Sequence, residues 1–184
     1  RRRALAGRAA LVDTLFPSDT GNLFKVTFVS IVMTLAIIQG VGFVFLAAFL
    51  VPDRLEAGEG FAYALWSSLF HSVSAFCNAG FSLYHGNLTA ESANTGFLVV
   101  VAVLIILGGV GHSVLAELWD LPKTVRRKSR RVRLLTLYTR IVLILTMVLL
   151  VSGGVLIYVF GDGAGGYLGH AFFQSVSART AGFN

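Results

Sequence analysis

Charge is scarce in this chain. Only 13% of its 184 residues are Asp, Glu, Lys or Arg, about half the share of a soluble globular domain, so the composition excludes one. Cysteine is nearly absent: Cys77 stands alone, and no internal disulfide can staple the fold. Acids are fewer than bases, 9 against 15, and the pI is about 10.0. That excess does not point to nucleic acid, because the bases flank apolar stretches instead of covering a polar surface, which is the positive-inside pattern of membrane topology. No Met opens the chain; it begins Arg1-Arg2-Arg3 and ends at Asn184, directly after a loop motif described below. No signal peptide is read at its start, and the chain is expected to be an incomplete piece of a longer one.

What is present is apolar. Hydrophobic residues make up 55% and the mean hydropathy is +0.77. No charged residue occurs in 26–52, 60–90, 92–116, 141–161 or 163–178. A bilayer-crossing helix needs about 20 mostly apolar residues. Three of these stretches qualify and two do not read as simple spans, so the expected fold class is an all-α membrane protein.

The first span is 24–50, closed by Pro52, with Thr34, Gly40 and Gly42 either admitting a neighbouring helix or simply facing lipid. A connector follows with Asp53, Glu56 and Glu59 against Arg54. Residues 61–76 predict a short helix that would rise about 24 Å, too little for a crossing. It carries Ser67, Ser68, His71, Ser72 and Ser74 and runs into Cys77-Asn78-Ala79-Gly80-Phe81. A short, half-polar helix followed by a glycine loop is a re-entrant segment, because irregular backbone at membrane depth survives only inside protein or beside water. The second span is 94–118, with Gly108-Gly109-Val110-Gly111 near its end, and the third is 134–160, with Arg140 near its start and Gly153-Gly154 in its second half. Between them lie Lys123, Arg126, Arg127, Lys128, Arg130, Arg131 and Arg133. This basic linker, with Arg1, Arg2, Arg3 and Arg8, is expected to be cytoplasmic. Both glycine loops then face outside. A glycine-rich turn at 161–166 leads to a second short helix at 167–178.

The order of span, short helix and glycine loop recurs in the letters themselves. Leu69-Phe70-His71-Ser72-Val73-Ser74-Ala75 matches Phe172-Phe173-Gln174-Ser175-Val176-Ser177-Ala178 at an offset of 103, and Ala79-Gly80-Phe81 matches Ala181-Gly182-Phe183 at 102. Internal repeats of this kind define architecture. An ion that crosses a bilayer must exchange its water for fixed oxygens, which a loop of backbone carbonyls supplies. Glycine allows the positive φ that turns successive carbonyls toward one axis, and a short helix aims its negative C-terminal end at a waiting cation. One loop cannot enclose an ion; about four must converge.

The strings Ser72-Val73-Ser74-Ala75-Phe76-Cys77-Asn78-Ala79-Gly80-Phe81 and Ser175-Val176-Ser177-Ala178-Arg179-Thr180-Ala181-Gly182-Phe183-Asn184 resemble the second and third pore loops of the Trk/Ktr/HKT superfamily of cation transporters. Gly108-Gly109-Val110-Gly111, followed by Leu115-Ala116-Glu117-Leu118, resembles the end of that family's second-repeat outer-to-inner helix. The resemblance implies four K⁺-channel-like helix–pore-loop–helix repeats per chain. Here it implies a cytoplasmic linker at 1–23, the second repeat at 24–118, a basic cytoplasmic linker at 119–133, and the third repeat up to its selectivity filter at 134–184. It further implies a pore-forming subunit of a potassium uptake system in the bacterial plasma membrane. The filter residues would be Asn78, Ala79, Gly80 and Phe81 with Thr180, Ala181, Gly182 and Phe183. K⁺ is the transported ion at these positions, and no cofactor is expected in the chain. The implied partners are a second full-length chain, a cytoplasmic nucleotide-binding regulatory ring and the lipid bilayer, with no nucleic acid. The choice between K⁺ and Na⁺ stays open. So does His112, where the family often has an aromatic: it is either a packing variant or a titratable group near the cytoplasm. Arg179 is expected to brace the filter wall.

The other readings are a membrane enzyme and a non-conducting assembly subunit. Gly161-Asp162-Gly163-Ala164-Gly165-Gly166 has the letters of a dinucleotide fingerprint but follows a membrane span and no strand. His71, His85, His112 and His170 lack paired metal-ligand spacing, and Cys77 lacks a histidine spaced to activate it. An assembly subunit would have no use for a repeated Ala-Gly-Phe loop. The chain is read as no enzyme.

Overall fold

The computed structural model describes residues 20–88, 94–126, 135–161 and 168–183. The N-terminal arginines, most of the basic linker, the turn at 162–167 and Asn184 lie outside the described residues. The described elements are all α-helices: α1 (Thr20–Glu56), α2 (Phe61–Phe76), α3 (Thr95–Val110), α4 (His112–Arg126), α5 (Leu137–Phe160) and α6 (Leu168–Thr180).

The chain divides into two compact units, Arg1–Ala36 and Ile37–Asn184. The described part of the first is the opening of α1. There Phe24 and Phe28 stack with ring centroids 6.2 Å apart, and Thr34 Oγ1 donates to the Ser30 carbonyl at 2.8 Å, so its hydroxyl is satisfied within its own helix.

The second unit holds the site. Its core joins Leu46 and Leu50 of α1 to Ala75 of α2, Val101 and Ile105 of α3, Leu150 of α5 and Val176 of α6. Outside that core the helices stay apolar. On α5, the buried residues Thr139, Thr146 and Leu150 form one inward stripe, while Ile144, Met147, Val151 and Val155 are all more than half exposed. An apolar face of this extent is untenable in water and is what a helix surrounded by lipid requires. Among the described residues, two helices, Phe24–Glu56 and Leu137–Phe160, are long and apolar enough to cross a membrane; the bent pair Thr95–Val110 and His112–Leu121 makes a third if it is one span.

Several boundaries differ from the sequence reading. The first helix does not close at Pro52 but runs through it to Glu56. Proline removes one N–H from the ladder, and a single missing rung is tolerated because the next turn is well held. Ala57 N donates to Asp53 O and Glu59 N to Arg54 O, Arg54 pairs with Glu59 at 3.4 Å, and Asn94 Nδ2 donates to Asp53 Oδ2 at 2.6 Å. The second span is not one helix over 94–118. It breaks at Gly111, and α3 and α4 meet at 101°. Gly111 has φ +89° and ψ 151°, an extended positive-φ conformation essentially reserved to glycine, and it ends the helix. Of the short helices, α2 stands at its predicted limits, whereas α6 runs from Leu168 to Thr180, two residues past its expected end at 178.

The carboxylate of Glu117 on α4 serves the start of α5. It accepts from the Thr136 N–H and from the hydroxyls of Thr136 and Thr139. Thr136 is the N-cap of α5, its own Oγ1 accepting from Thr139 N. A carboxylate beside these otherwise unpaired N–H groups stabilises the helix end through hydrogen bonds and the helix dipole.

Candidate functional site

The repeated letters become repeated hydrogen bonds. Ser72 Oγ of α2 donates to the Gln39 carbonyl of α1 at 2.8 Å, and Ser175 Oγ of α6 donates to the Leu150 carbonyl of α5 at 2.9 Å. Three positions beyond each accepting carbonyl stands a glycine, Gly42 or Gly153, where a Cβ would come within 3.0 and 2.5 Å of the serine hydroxyl. Each short helix thus seats on a notch in the preceding long helix. The second serine of each string holds the loop that follows: Ser74 Oγ donates to the Phe81 carbonyl at 2.7 Å, and Ser177 Oγ donates to the Phe183 carbonyl. Gly80 and Gly182 both have positive φ, +70° and +80°. The serines were visible as repeated letters; their role as tethers was not.

These tethers decide which oxygens are left over. The carbonyls of Phe81 and Phe183 are tied back to the short helices. Among the described residues, the main-chain oxygens of Asn78, Ala79 and Gly80, and of Thr180, Ala181 and Gly182, accept no hydrogen bond. The two loops also meet. A Cβ on Gly80 would overlap the Ala181 carbonyl oxygen and stand 3.1 Å from its carbon, and Asn78 and Thr180 join through their side chains at 3.0 Å. Of the eight residues expected at the filter, Thr180 is the last residue of α6, and the other seven lie on two loops in direct contact.

The surroundings brace these loops. His71 is fully buried. Its Nδ1 faces the Ser67 carbonyl at 2.7 Å, its Nε2 lies 3.1 Å from Ser82 Oγ, and its ring stacks on Tyr84 at 4.8 Å. Because the Ser67 carbonyl only accepts, Nδ1 carries a proton, and the ring bonds helix α2 to the chain beyond the first loop. His71 is a packed strut. Arg179 lies against the end of α3: its guanidinium would touch a Cβ placed at Gly109. Cys77 is exposed and free, with the Gln39 amide 3.9 Å from its sulfur. Among the described residues no three His, Cys, Asp or Glu side chains are grouped to hold a metal. The ligands this site offers are oxygens of the main chain, which suit a hard, weakly coordinating cation.

A multi-pass α-helical membrane protein with a repeated unit of long helix, short helix and glycine loop is the class that fold and site define. Comparison with known proteins adds the family. The family described as "TrkH: Cation transport protein" matches residues 18–184. The potassium/sodium uptake protein NtpJ of Enterococcus hirae is 31% identical over 185 residues, covering 96% of this chain and 38% of the relative. Ktr system potassium uptake protein B of Vibrio alginolyticus is 35% identical over 193 residues, covering 100% of this chain and 40% of the relative. Its namesake from Bacillus subtilis is 34% identical over 148 residues, 76% of this chain and 32% of the relative. The chain belongs to the TrkH family of cation transport proteins. It spans between 32% and 40% of the length of these relatives.

Proposed function

We propose that the chain forms part of the ion path of a potassium uptake system, and that the loops 78–81 and 180–183 are two members of a four-loop selectivity filter. The observation that carries this reading is the repeat in hydrogen bonding. Two loops, each tethered by a serine to its own short helix, meet with six main-chain oxygens unused among the described residues. A dehydrated cation needs such fixed oxygens, and the C-terminal ends of α2 and α6 add favourable potential beside them. In this reading 24–118 and 134–184 are successive repeats, with 1–23 and 119–133 cytoplasmic and both loops opening outward. The full-length chain pairs with a second copy and rests on a nucleotide-binding regulatory ring. The names of the relatives support K⁺ as cargo, and that of NtpJ keeps Na⁺ as a second one.

The test is growth at low potassium in a host stripped of its own potassium uptake systems. A full-length chain carrying these residues is expected to restore growth and rubidium uptake. Residues 1–184 alone are not, because two loops supply half of the oxygen ring and leave an ion unsheltered in the membrane. A full-length protein that reaches the membrane yet takes up neither rubidium nor sodium would overturn the reading.

A further inference from the structure

One side chain touches three parts of this site at once. Asn78 directly follows Cys77, the C-cap of α2, and has φ +53°, a left-handed conformation that asparagine tolerates better than most residues with a side chain. Its carboxamide reaches both the second loop and α3, and the neighbours dictate its orientation. The amide nitrogen lies 3.0 Å from Thr180 Oγ1 and 3.2 Å from the Ile105 carbonyl, which accept, and the amide oxygen lies 3.2 Å from the Gly109 N–H, which donates. Ile105 and Gly109 are four residues apart on α3, so that carbonyl and that N–H are the two halves of one rung of a helical ladder. The Asn78 carboxamide bonds both halves. A side chain inserted into the ladder is a known origin of helix bending, and two residues beyond this rung the chain turns by 101° at Gly111.

The Gly108-Gly109 pair makes room for this. A Cβ on Gly108 would overlap the Phe76 carbonyl oxygen and stand 3.0 Å from the Asn78 carboxamide. A Cβ on Gly109 would stand 2.5 Å from the Arg179 guanidinium and 3.8 Å from Thr180 Oγ1. The first glycine admits one loop and the second glycine the other. The end of α3 is therefore the surface on which both loops are registered.

We propose that Asn78 is a positioning residue whose carboxamide clamps the first loop, the second loop and the last turn of α3 together, and so sets the spacing between the two rows of filter carbonyls. This rests on the reading of the loops as a filter. The side chain itself meets no ion. It must donate twice and accept once, which a carboxamide does; aspartate keeps the shape but loses both donors, and glycine keeps the backbone freedom but loses all three bonds.

The test is rubidium uptake with sodium competition in the full-length chain, at equal amounts of protein in the membrane. Asn78→Gly and Asn78→Asp are expected to lose about tenfold in rubidium-over-sodium discrimination, which corresponds to about 1.4 kcal/mol. The loss should fall mainly on the apparent KM for rubidium. Thr180→Val should lose part of the same discrimination and Thr180→Ser should retain it. The double variant Asn78→Gly, Thr180→Val should be no worse than Asn78→Gly, because the two share one bond. Wild-type discrimination in Asn78→Gly would show that only the backbone conformation matters and would overturn the proposal, as would additive losses in the double variant. If Asn78→Gly fails to insert, the contrast between Thr180→Val and Thr180→Ser decides alone: equal discrimination in those two overturns the proposal. Failure of the filter reading looks different, since the wild-type chain would then show no selective uptake at all.

Discussion

The two glycines that match in the repeat are expected to tolerate a methyl group very unequally. Gly80 and Gly182 have nearly the same backbone, φ +70° and +80°, and an L-residue held in the left-handed region costs about 1–2 kcal/mol. That cost is common to both. Their surroundings are not. Among the described residues, a Cβ at Gly182 would meet nothing within 4 Å, whereas at Gly80 it would overlap the Ala181 carbonyl oxygen and stand 3.1 Å from the Ala181 carbon and 3.4 Å from that of Gly182. The atoms in the way are main chain of the opposite loop, so relief means moving that loop. Forcing a methyl into packed surroundings costs a further ~1–3 kcal/mol. Gly182→Ala should therefore lower stability by about 1–2 kcal/mol, and Gly80→Ala by about 2–5 kcal/mol. The Gly80 change should also displace the Ala181 carbonyl and depress rubidium-over-sodium discrimination far more. Thermal unfolding of the full-length protein in detergent, paired with competitive rubidium uptake, reads both quantities. Equal effects from the two substitutions, or a greater effect from Gly182→Ala, would refute the idea that the loops press on each other at Gly80.

The serine tethers give a second expectation: Ser74→Ala and Ser177→Ala should each cost about 0.5–1.5 kcal/mol; thermal unfolding of the two variants beside the wild type checks it. Removing the cap of α5 by Thr136→Ala should cost about 1 kcal/mol, while Thr136→Ser keeps the hydroxyl and most of the stability. Glu117→Ala should lower the unfolding midpoint in the same assay, because its carboxylate accepts from both Thr136 and Thr139.

Much of the protein was legible without coordinates because the relevant physics is local. Long uncharged stretches partition into lipid whatever they later pack against, so α1 and α5 follow from hydropathy and length. The short helix α2 was readable to the residue, since Gly60 precedes it and Cys77-Asn78-Ala79-Gly80 cannot prolong it. The loops were found because their letters repeat. Proline misled at position 52, where a rule about one lost N–H was outweighed by the bonds of the next turn. The break after Val110 was hidden for a related reason: a glycine inside an apolar run reads equally well as helix or as hinge, and only its φ of +89° decides.

Composition and repeat by themselves determined that this chain crosses a membrane as helices and carries two short helices that each run into a glycine loop. The tertiary structure decided how those loops differ from one another. In the letters Gly80 and Gly182 are interchangeable; in space Gly80 presses on the Ala181 carbonyl, and no such contact is made at Gly182 among the described residues. Asn78 and Thr180 occupy the same place in their strings, yet Asn78 alone bonds both halves of the Ile105–Gly109 rung. The reason is that a repeat encodes the fold of each unit, through contacts a few residues apart, whereas the packing of one unit against the other joins residues some 100 positions away. Two identical loops packed side by side against a single helix end cannot have identical surroundings.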